Sequence, residues 1–492
     1  MYFIGIDIGT SSTKTSLFDE RCELIRSYTK SYKTDYPHPG WSEQNPDVWY
    51  EAACEGISAV IKGIETSLVK GIGASGQMHG LVILDSEDRV IRPAILWNDG
   101  RTEDETKFLN EAVGREKLSE LTGNIAYAGF TAPKLLWLKK HEPENFGKIK
   151  KMMLPKDYIN YRLTGVHSSD FSDASGTLLL DVKNRRWSQE MLDICGIADG
   201  QLPSLFESYE CIGEVLPSEA KKLGLPEGVK VAAGAGDNAA AAFGTKTIGN
   251  GACNISLGTS GTVFIASDSF RADRNNGLHS FAHADGRYHL MACILSAASC
   301  NQWLMDKILL AEDYEKEQGM ILPQELGNNR VFFLPYLMGE RSPINDVNAR
   351  GTFTGLSLET ERKDLVLAVL EGVAFAIRDN VEIAGKLGIE IKESKVCGGG
   401  ARSRLWLTIL ANVLNMRLRI PENEQGPSIG SAILAMVCCG VYADAAQACA
   451  QMEEAADFIE PVPSIAARYD EQYKKYSLLY PAMKPVFRAI SQ

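Results

Sequence analysis

Asp237 sits in Gly234-Ala235-Gly236-Asp237-Asn238, directly after an apolar run that ends at Ala233. A carboxylate at the end of a buried strand, with small neighbours, points into a space that a small substrate can enter. Phosphoryl transfer to an alcohol suits such a group. That reaction needs a residue to orient the hydroxyl and accept its proton, and otherwise positioning and charge stabilisation. The same side chain also suits the cap of a helix beginning near Ala239.

A second chemistry is written twice. Asp7-Ile8-Gly9-Thr10-Ser11 nearly recurs as Ser256-Leu257-Gly258-Thr259-Ser260 in the other half of the chain. Each copy follows apolar residues and precedes a β-branched stretch, the pattern of a hairpin with a Gly-Thr-Ser turn. Such a turn presents backbone N–H groups and hydroxyls in a concave nest that binds anions. It is also an ordinary polar turn. Two copies suggest two related domains with a polyphosphate clamped between their hairpins. Thr10, Ser11, Lys14 and Thr259 are the phosphate-binding candidates. Lys14 is placed to return toward the turn, and equally suits an exposed strand position. Asp7 occupies the position of Ser256, and an acid there is expected to hold water on the Mg²⁺ of bound ATP. An Asx-type turn is the alternative.

Gln77-Met78-His79 is bounded by Gly76 and Gly80. His79 is expected to hydrogen-bond sugar hydroxyls and Met78 to pack on a carbon chain, against the alternative of a structural histidine. His279, His283 and His289 suggest a metal by their H-x3-H spacing. No Cys, Asp or Glu completes a ligand set, so strands around an Asp285-Gly286 turn are expected instead.

The elements that must hold these residues follow from periodicity and punctuation. Residues 3–28 read as consecutive strands turning at Gly9-Thr10-Ser11 and at Asp19-Glu20-Arg21. Asn45-Pro46 reads as a helix start, with the helix over 48–62. Gly71 to Gly80 reads as a glycine-rich loop, with short strands at 81–84 and 94–97. Helices are expected at 135–140, 158–163 and 239–243, and a buried strand at 229–233. The polar, glycine-rich stretch 244–250 marks a domain boundary. In the second half, 362–387 predicts a long helix ended by Gly388. Val396-Cys397-Gly398-Gly399-Gly400-Ala401 predicts a strand and a glycine turn before a helix at 403–414, a common way to bring backbone N–H groups to a nucleotide. The last thirty residues read as a closing helix.

The totals bound the class. The chain has 492 residues, 45% hydrophobic and 23% charged, as in a globular protein with ample core. A net charge of −12 argues against nucleic acid or an anionic membrane as the main partner. It does not argue against ATP. The longest apolar stretch, 432–441, falls short of a membrane span, and Gly440 reads as a helix stop. Met1-Tyr2-Phe3-Ile4 runs directly into the first strand, so no signal peptide is expected. The eleven cysteines form no CxxC pair, so reduced thiols in a cytoplasmic enzyme are expected.

Two long patterns carry a resemblance. They are Gly129-Phe130-Thr131-Ala132-Pro133-Lys134-Leu135-Leu136-Trp137-Leu138 and Gly351-Thr352-Phe353-Thr354-Gly355-Leu356, the second continuing through Asp364-Leu365 to Ala368-Val369-Leu370-Glu371. With them the chain resembles, from Tyr2 to about Gly440, the FGGY family of carbohydrate kinases in the actin/hexokinase-like ATPase superfamily. Trp41-Ser42-Glu43-Gln44, Gly76-Gln77-Met78-His79-Gly80, Leu96-Trp97-Asn98-Asp99-Gly100-Arg101 and Leu154-Pro155-Lys156-Asp157-Tyr158 are most similar to members acting on D-xylulose. Glycerol-specific members typically carry Arg-Glu in place of Met78-His79.

The resemblance implies an α/β fold of two ribonuclease-H-like domains, 1–245 and 246–492, with the active site in the cleft between them. It implies ATP-dependent phosphorylation of D-xylulose at its 5-hydroxyl, with Mg²⁺, and Asp237 as proton acceptor. Met78 and His79 would meet the sugar, with Trp97 and Asn238 lining its pocket. Gly258-Thr259 and Gly400-Ala401 would meet the nucleotide. Cleft closure and a homodimer are also implied. Ala235 departs from close relatives, which often have a third glycine there; its methyl is expected to tighten the loop and leave Asp237 in place. Another ketose or polyol, such as ribulose, gluconate or an alditol, is the alternative substrate. An ATP-binding switch on the same scaffold is the alternative class, and it has no use for a base beside a sugar pocket.

Overall fold

The computed structural model describes residues 1–490 apart from 274, 276, 422–425 and 453–456. Two seven-stranded sheets organise the chain. In the first, Leu24–Ser31, Ser12–Asp19 and Tyr2–Ile8 run antiparallel, and Val69–Gly76 and Lys230–Ala232 continue parallel. In the second, Tyr288–Ile294, Gly261–Ser267 and Cys253–Leu257 run antiparallel, and Glu393–Cys397 and Arg417–Ile420 continue parallel. The five-strand core order is therefore the same in both halves, and each hairpin forms the centre of its sheet.

The two hairpins differ at the tip. The first pairs Ile8 with Thr13 and leaves Gly9 to Ser12 as its loop, closed by Gly9 N–H donating to Ser12 O at 2.9 Å. The second pairs Leu257 with Gly261, so its loop is one residue shorter. Loop length sets hairpin register, so the near-identical pentapeptides do not make identical turns.

Gly71 to Gly76 is not a loop. It lies inside strand Val69–Gly76, paired in register with Tyr2–Ile8, and only Gln77 to Gly80 leaves the sheet. Its glycines answer a helix rather than a turn. Helix Pro427–Cys438 lies across this face of the sheet, and a Cβ on Gly73 would stand 1.9 Å from the carbonyl oxygen of Ser431. The same helix crosses helix Asp237–Gly244, where a Cβ on Gly430 would stand 2.0 Å from Ala240 O. A helix from the second half of the chain thus supports both the Asp7 strand and the Asp237 helix.

The expected helix starts are close. Asn45 caps helix Pro46–Val60, its side chain accepting from Asp47 N–H. The long helix is Arg362–Lys386, with Gly388 at φ +81°. The last thirty residues hold two helices, Pro463–Tyr476 and Leu479–Ile490, where one was expected. Ser477 and Leu478 separate them. Among the described residues no helix is long and apolar enough to cross a membrane.

Candidate active site

Three segments meet at the carboxyl ends of adjoining parallel strands, the edge where open α/β sheets place their ligands. Asp7 pairs with Ser75, and Ala235–Gly236 adds to the same strand with Ala235 opposite Ser75 and Gly236 opposite Gly76. Asp7, the Gln77-Met78-His79 segment and Asp237 therefore emerge side by side.

Asp237 is the first residue of helix Asp237–Gly244, and Gly236 is the N-cap with no side-chain cap bond. The helix-capping alternative is thus corrected: the helix starts two residues early, and the carboxylate is left for other contacts. Its Oδ1 accepts from Asn238 N–H at 2.7 Å and from Asn238 Nδ2 at 2.9 Å. Burial raises its pKa from 3.8 to about 6, with the Asn238 bonds pulling the other way. Asp7 is raised to about 7, by burial first and then by the Asp237 charge, while Lys14, directly opposite in the hairpin, draws it down. The Asp7 carboxylate accepts no hydrogen bond among the described residues, so its oxygens are available to a hydrated cation.

Below Asp237 lies an ion cluster that sequence reading did not find as a unit. Lys156 Nζ is fully buried and meets Asp157 at 2.5 Å and Asp170 at 2.9 Å. It also donates to Ala233 O at 3.2 Å. Ser172, capped by Asp170, accepts from Gly236 N–H at 3.1 Å. The backbone on both sides of Gly234 is thereby fixed before Asp237 begins.

His79 has φ +70°, and its Nδ1 donates to Gly176 O at 2.7 Å. A carbonyl can only accept, so the proton is on Nδ1 and the neutral ring keeps Nε2 as an acceptor. Burial, then the charges of Lys134 and Arg341, hold its pKa well below 6.5. The ring stacks on Phe130 with centroids 4.6 Å apart. Thr131 Oγ1 and Lys134 Nζ both donate to His79 O, at 3.1 and 2.8 Å. A Cβ on Gly129 would stand 2.2 Å from Trp97 O. The Gly129-to-Leu138 pattern is therefore a support for His79 and Trp97. Met78 is buried, its side chain against both Gly236 and Gly176.

Trp97 is 41% exposed, and its Nε1 donates to Thr10 Oγ1 at 2.9 Å. Thr10 Oγ1 in turn donates to Gln77 Oε1 at 3.1 Å, and Gln44 Nε2 donates to Thr10 O at 2.6 Å. Thr10 thus ties the first hairpin to the Met78-His79 segment, with its hydroxyl already engaged, while Ser11 is exposed at the tip.

The second hairpin makes a separate wall. Gly258 O and Thr259 O accept from Ala298 N–H and Ala297 N–H at 2.9 and 3.0 Å, fixing the start of helix Ala298–Trp303. Gly400 packs on Leu257 and on Trp406, and Ala401 follows in the turn Gly399–Arg402. Between these elements opens a cavity of about 740 Å³, lined by Asn301, Gln318, Gly399, Gly400, Ser403 and Trp406 among others. Asn301 and Gln318 gave no sequence signal. Their elements are far from 399–406 in the chain and no motif links them. His279 and His289 lie on paired strands among Phe264, Phe281 and Phe130, with a turn at Asp285-Gly286 between them.

Paired sheets of one order, with a carboxylate at the start of a helix beside the first sheet's strand ends and a large cavity beside the second, are the arrangement a sugar-kinase-type ATPase needs. The comparisons agree. The FGGY carbohydrate kinase N-terminal domain matches residues 2–244 and the C-terminal domain of that family matches 253–439. The chain belongs to the FGGY family of carbohydrate kinases. It is 42% identical to the xylulose kinase of Escherichia coli (strain K12), over 88% of this chain and 90% of that one. It superposes on a xyloylose kinase from Brucella ovis with a TM-score of 0.94 and 41% identity, over 99% of this chain and 100% of that one. A gluconate kinase from Lactobacillus acidophilus also gives 0.94, at 27% identity over 99% of each chain.

Proposed function

We propose that this kinase transfers the γ-phosphoryl group of Mg-ATP to the 5-hydroxyl of D-xylulose, forming D-xylulose 5-phosphate and ADP. The observation that carries the reading is the convergence of Asp237 and the Met78-His79 segment on neighbouring strand ends, in a chain 42% identical to a xylulose kinase.

In this reading Asp237 takes the hydroxyl proton as oxygen attacks phosphorus. Asn238 holds one carboxylate oxygen and leaves the other for that proton. A pKa of about 6 leaves the group ionised at neutral pH and closer to a useful base than an ordinary aspartate. His79 Nε2 accepts from a hydroxyl toward the far end of the sugar, Met78 packs on the carbon chain between, and Trp97 and Asn238 complete the pocket. The nest of the first hairpin (Thr10, Ser11, with Lys14) and the Gly258-Thr259 turn face the phosphates, and the cavity beside Gly400-Ala401 takes the nucleoside. Mg²⁺ bound with the ATP would neutralise phosphate charge, and Asp7 would hold its water shell. Closure of the cleft would exclude water from the transfer.

The test is ADP release with Mg-ATP over D-xylulose, L-xylulose, D-ribulose, L-ribulose, glycerol, gluconate, xylitol and no sugar. Selective stimulation by D-xylulose is expected. Selective stimulation by gluconate or an alditol would keep the family and overturn the substrate.

A further inference from the structure

Gln44 lies on the short strand Glu43–Gln44, just before the helix capped by Asn45, and its side chain is buried. The carboxamide uses both of its ends. Oε1 accepts from Trp49 Nε1 at 2.8 Å and from Gln77 Nε2 at 3.2 Å. Nε2 donates to Thr10 O at 2.6 Å and to Thr34 Oγ1 at 2.9 Å. An amide of this kind has two donors and two acceptor sites, so this one is satisfied in full.

The direction of every bond in the network follows from two fixed partners. An indole N–H only donates, and a carbonyl oxygen only accepts. Trp49, fully buried, thus assigns the Gln44 oxygen, and Thr10 O assigns the nitrogen. Gln77, also buried, must then turn its Nε2 to Gln44 and its Oε1 to Thr10 Oγ1, 3.1 Å away. The Thr10 hydroxyl therefore gives its proton to Gln77 and accepts from Trp97 Nε1.

The place of this network matters more than its size. The parallel ladder between the Asp7 strand and the strand before Gln77 ends at Ile8, whose carbonyl accepts from Gln77 N–H at 2.7 Å. Beyond that bond the two segments part. Gly9 to Ser12 form the hairpin tip, and Met78-His79 leave the sheet toward the sugar pocket. Gln44 spans the fork, one amide bonding Thr10 on the first branch and Gln77 on the second. Tyr32 OH also holds the tip, donating to Gly9 O at 2.6 Å, but it ties the tip to its own side of the sheet.

We infer that Gln44 is a positioning residue for phosphoryl transfer: it fixes the phosphate hairpin against the sugar loop, and with them the line between phosphorus and the attacking hydroxyl. The inference rests on the phosphate and sugar placements proposed above. Buried behind both segments, Gln44 acts through Thr10 and Gln77. Its effect belongs to the step that needs both substrates in register, because each substrate has contacts of its own.

The test compares wild type, Gln44→Met and Gln44→Glu by steady-state kinetics, with equilibrium binding of Mg-ATP and D-xylulose counting the intact sites. Gln44→Met keeps a side chain of similar length and removes all of its hydrogen bonds. Its kcat per intact site is expected to fall ~10- to 100-fold, the scale of a misplacement of about 1 Å. The two dissociation constants should stay within about threefold of wild type, the signature of an interaction expressed in the transition state. Gln44→Glu keeps the acceptor that Trp49 needs and so separates the Thr10 bond from folding. Its protonated carboxyl donates to Thr10 O as the amide does, and its carboxylate cannot. The ratio of its kcat to that of wild type is therefore expected to fall as pH rises from about 6 to about 9, where a buried glutamate loses its proton. Asp237 titrates in both proteins and cancels in that ratio. Full kcat per intact site in Gln44→Met, a loss confined to one dissociation constant, or a flat ratio in Gln44→Glu overturns the role. Should Gln44→Met yield no folded protein, the Gln44→Glu ratio decides. An unchanged sugar dissociation constant in His79→Ala removes the placement on which the inference rests. A raised one, with full kcat in both Gln44 variants, removes the role of Gln44 alone.

Discussion

The carbonyl oxygen of Gly176 takes the Nδ1 proton of His79 at 2.7 Å, and that bond decides that the ring's other nitrogen accepts. Gly176 has a second part in the pair. A Cβ there would stand 2.4 Å from both Nδ1 and Cε1 of the imidazole, a rigid ring stacked on Phe130. Gly176→Ala is therefore expected to tilt the ring and raise the sugar KM about tenfold or more, with the ATP KM unchanged, as expected when misplacement removes about one hydrogen bond. His79→Ala is expected to do the same without the steric strain. Initial rates at varied sugar and fixed ATP check both; an unaltered sugar KM in either variant places the pocket elsewhere.

Asp237→Ala removes the proposed proton acceptor and the proposed anchor of the hydroxyl together. Its kcat is expected to fall by about three orders of magnitude or more. ATP binding and the unfolding midpoint at low pH should remain near wild type. Near-wild-type turnover in the variant ends the assignment.

Burial lifts Asp237 from 3.8 to about 6, and the sign of the consequence is definite. The folded protein binds this proton more tightly than the unfolded chain, so the residue's stability cost is absent well below pH 4 and grows as pH rises through about 6. Asp237→Asn in the ligand-free protein is expected to raise stability at pH 7.5 by up to about 3 kcal/mol, a gain that shrinks toward zero as pH falls to about 4. Activity moves oppositely: wild-type kcat/KM should drop as pH falls below about 6, because the protonated carboxyl cannot accept. Urea titrations at several pH values and a pH–rate profile measure the two halves, and a gain that is constant with pH contradicts the linkage.

Asp7 has free carboxylate oxygens beside Asp237 and opposite Lys14. Asp7→Asn is expected to raise the Mg²⁺ concentration for half-maximal rate by about tenfold or more, the usual scale for losing one contact in a metal's outer shell. The sugar KM should change little. Unchanged Mg²⁺ dependence removes the role.

Gly73 is the test of the fold. A Cβ there would stand 1.9 Å from Ser431 O, on a helix whose backbone already touches the sheet. Gly73→Ala is expected to cost about 3 kcal/mol or more, because neither backbone can yield without losing the contact. Denaturation of the purified variant measures it; a loss under 1 kcal/mol, small on the usual scale of such mutations, shows that the helix can lift away.

Local pattern carried far in this chain. Both hairpins, the strand before Asp237, the cap at Asn45 and the long helix ended by Gly388 are written in runs of neighbouring residues, where apolar alternation and turn residues dictate the backbone. Asp237 was legible for the same reason. Gly71 to Gly76 was misread because glycines speak of turns locally, whereas here they make room for Ser431 and its helix, which are remote in sequence.

By itself the sequence determined the doubled hairpin, the family and the identity of the acid at 237, since each depends on residue type at short spacing. Only the tertiary structure decided what surrounds them. It set the tautomer of His79 through Gly176, buried Lys156 against Asp157 and Asp170, opened the cavity between 298–321 and 399–406, and brought Gln44 to Thr10 and Gln77. These pairings join segments whose approach is fixed by how two sheets and one crossing helix pack, and close packing of that kind leaves no periodic trace in the chain.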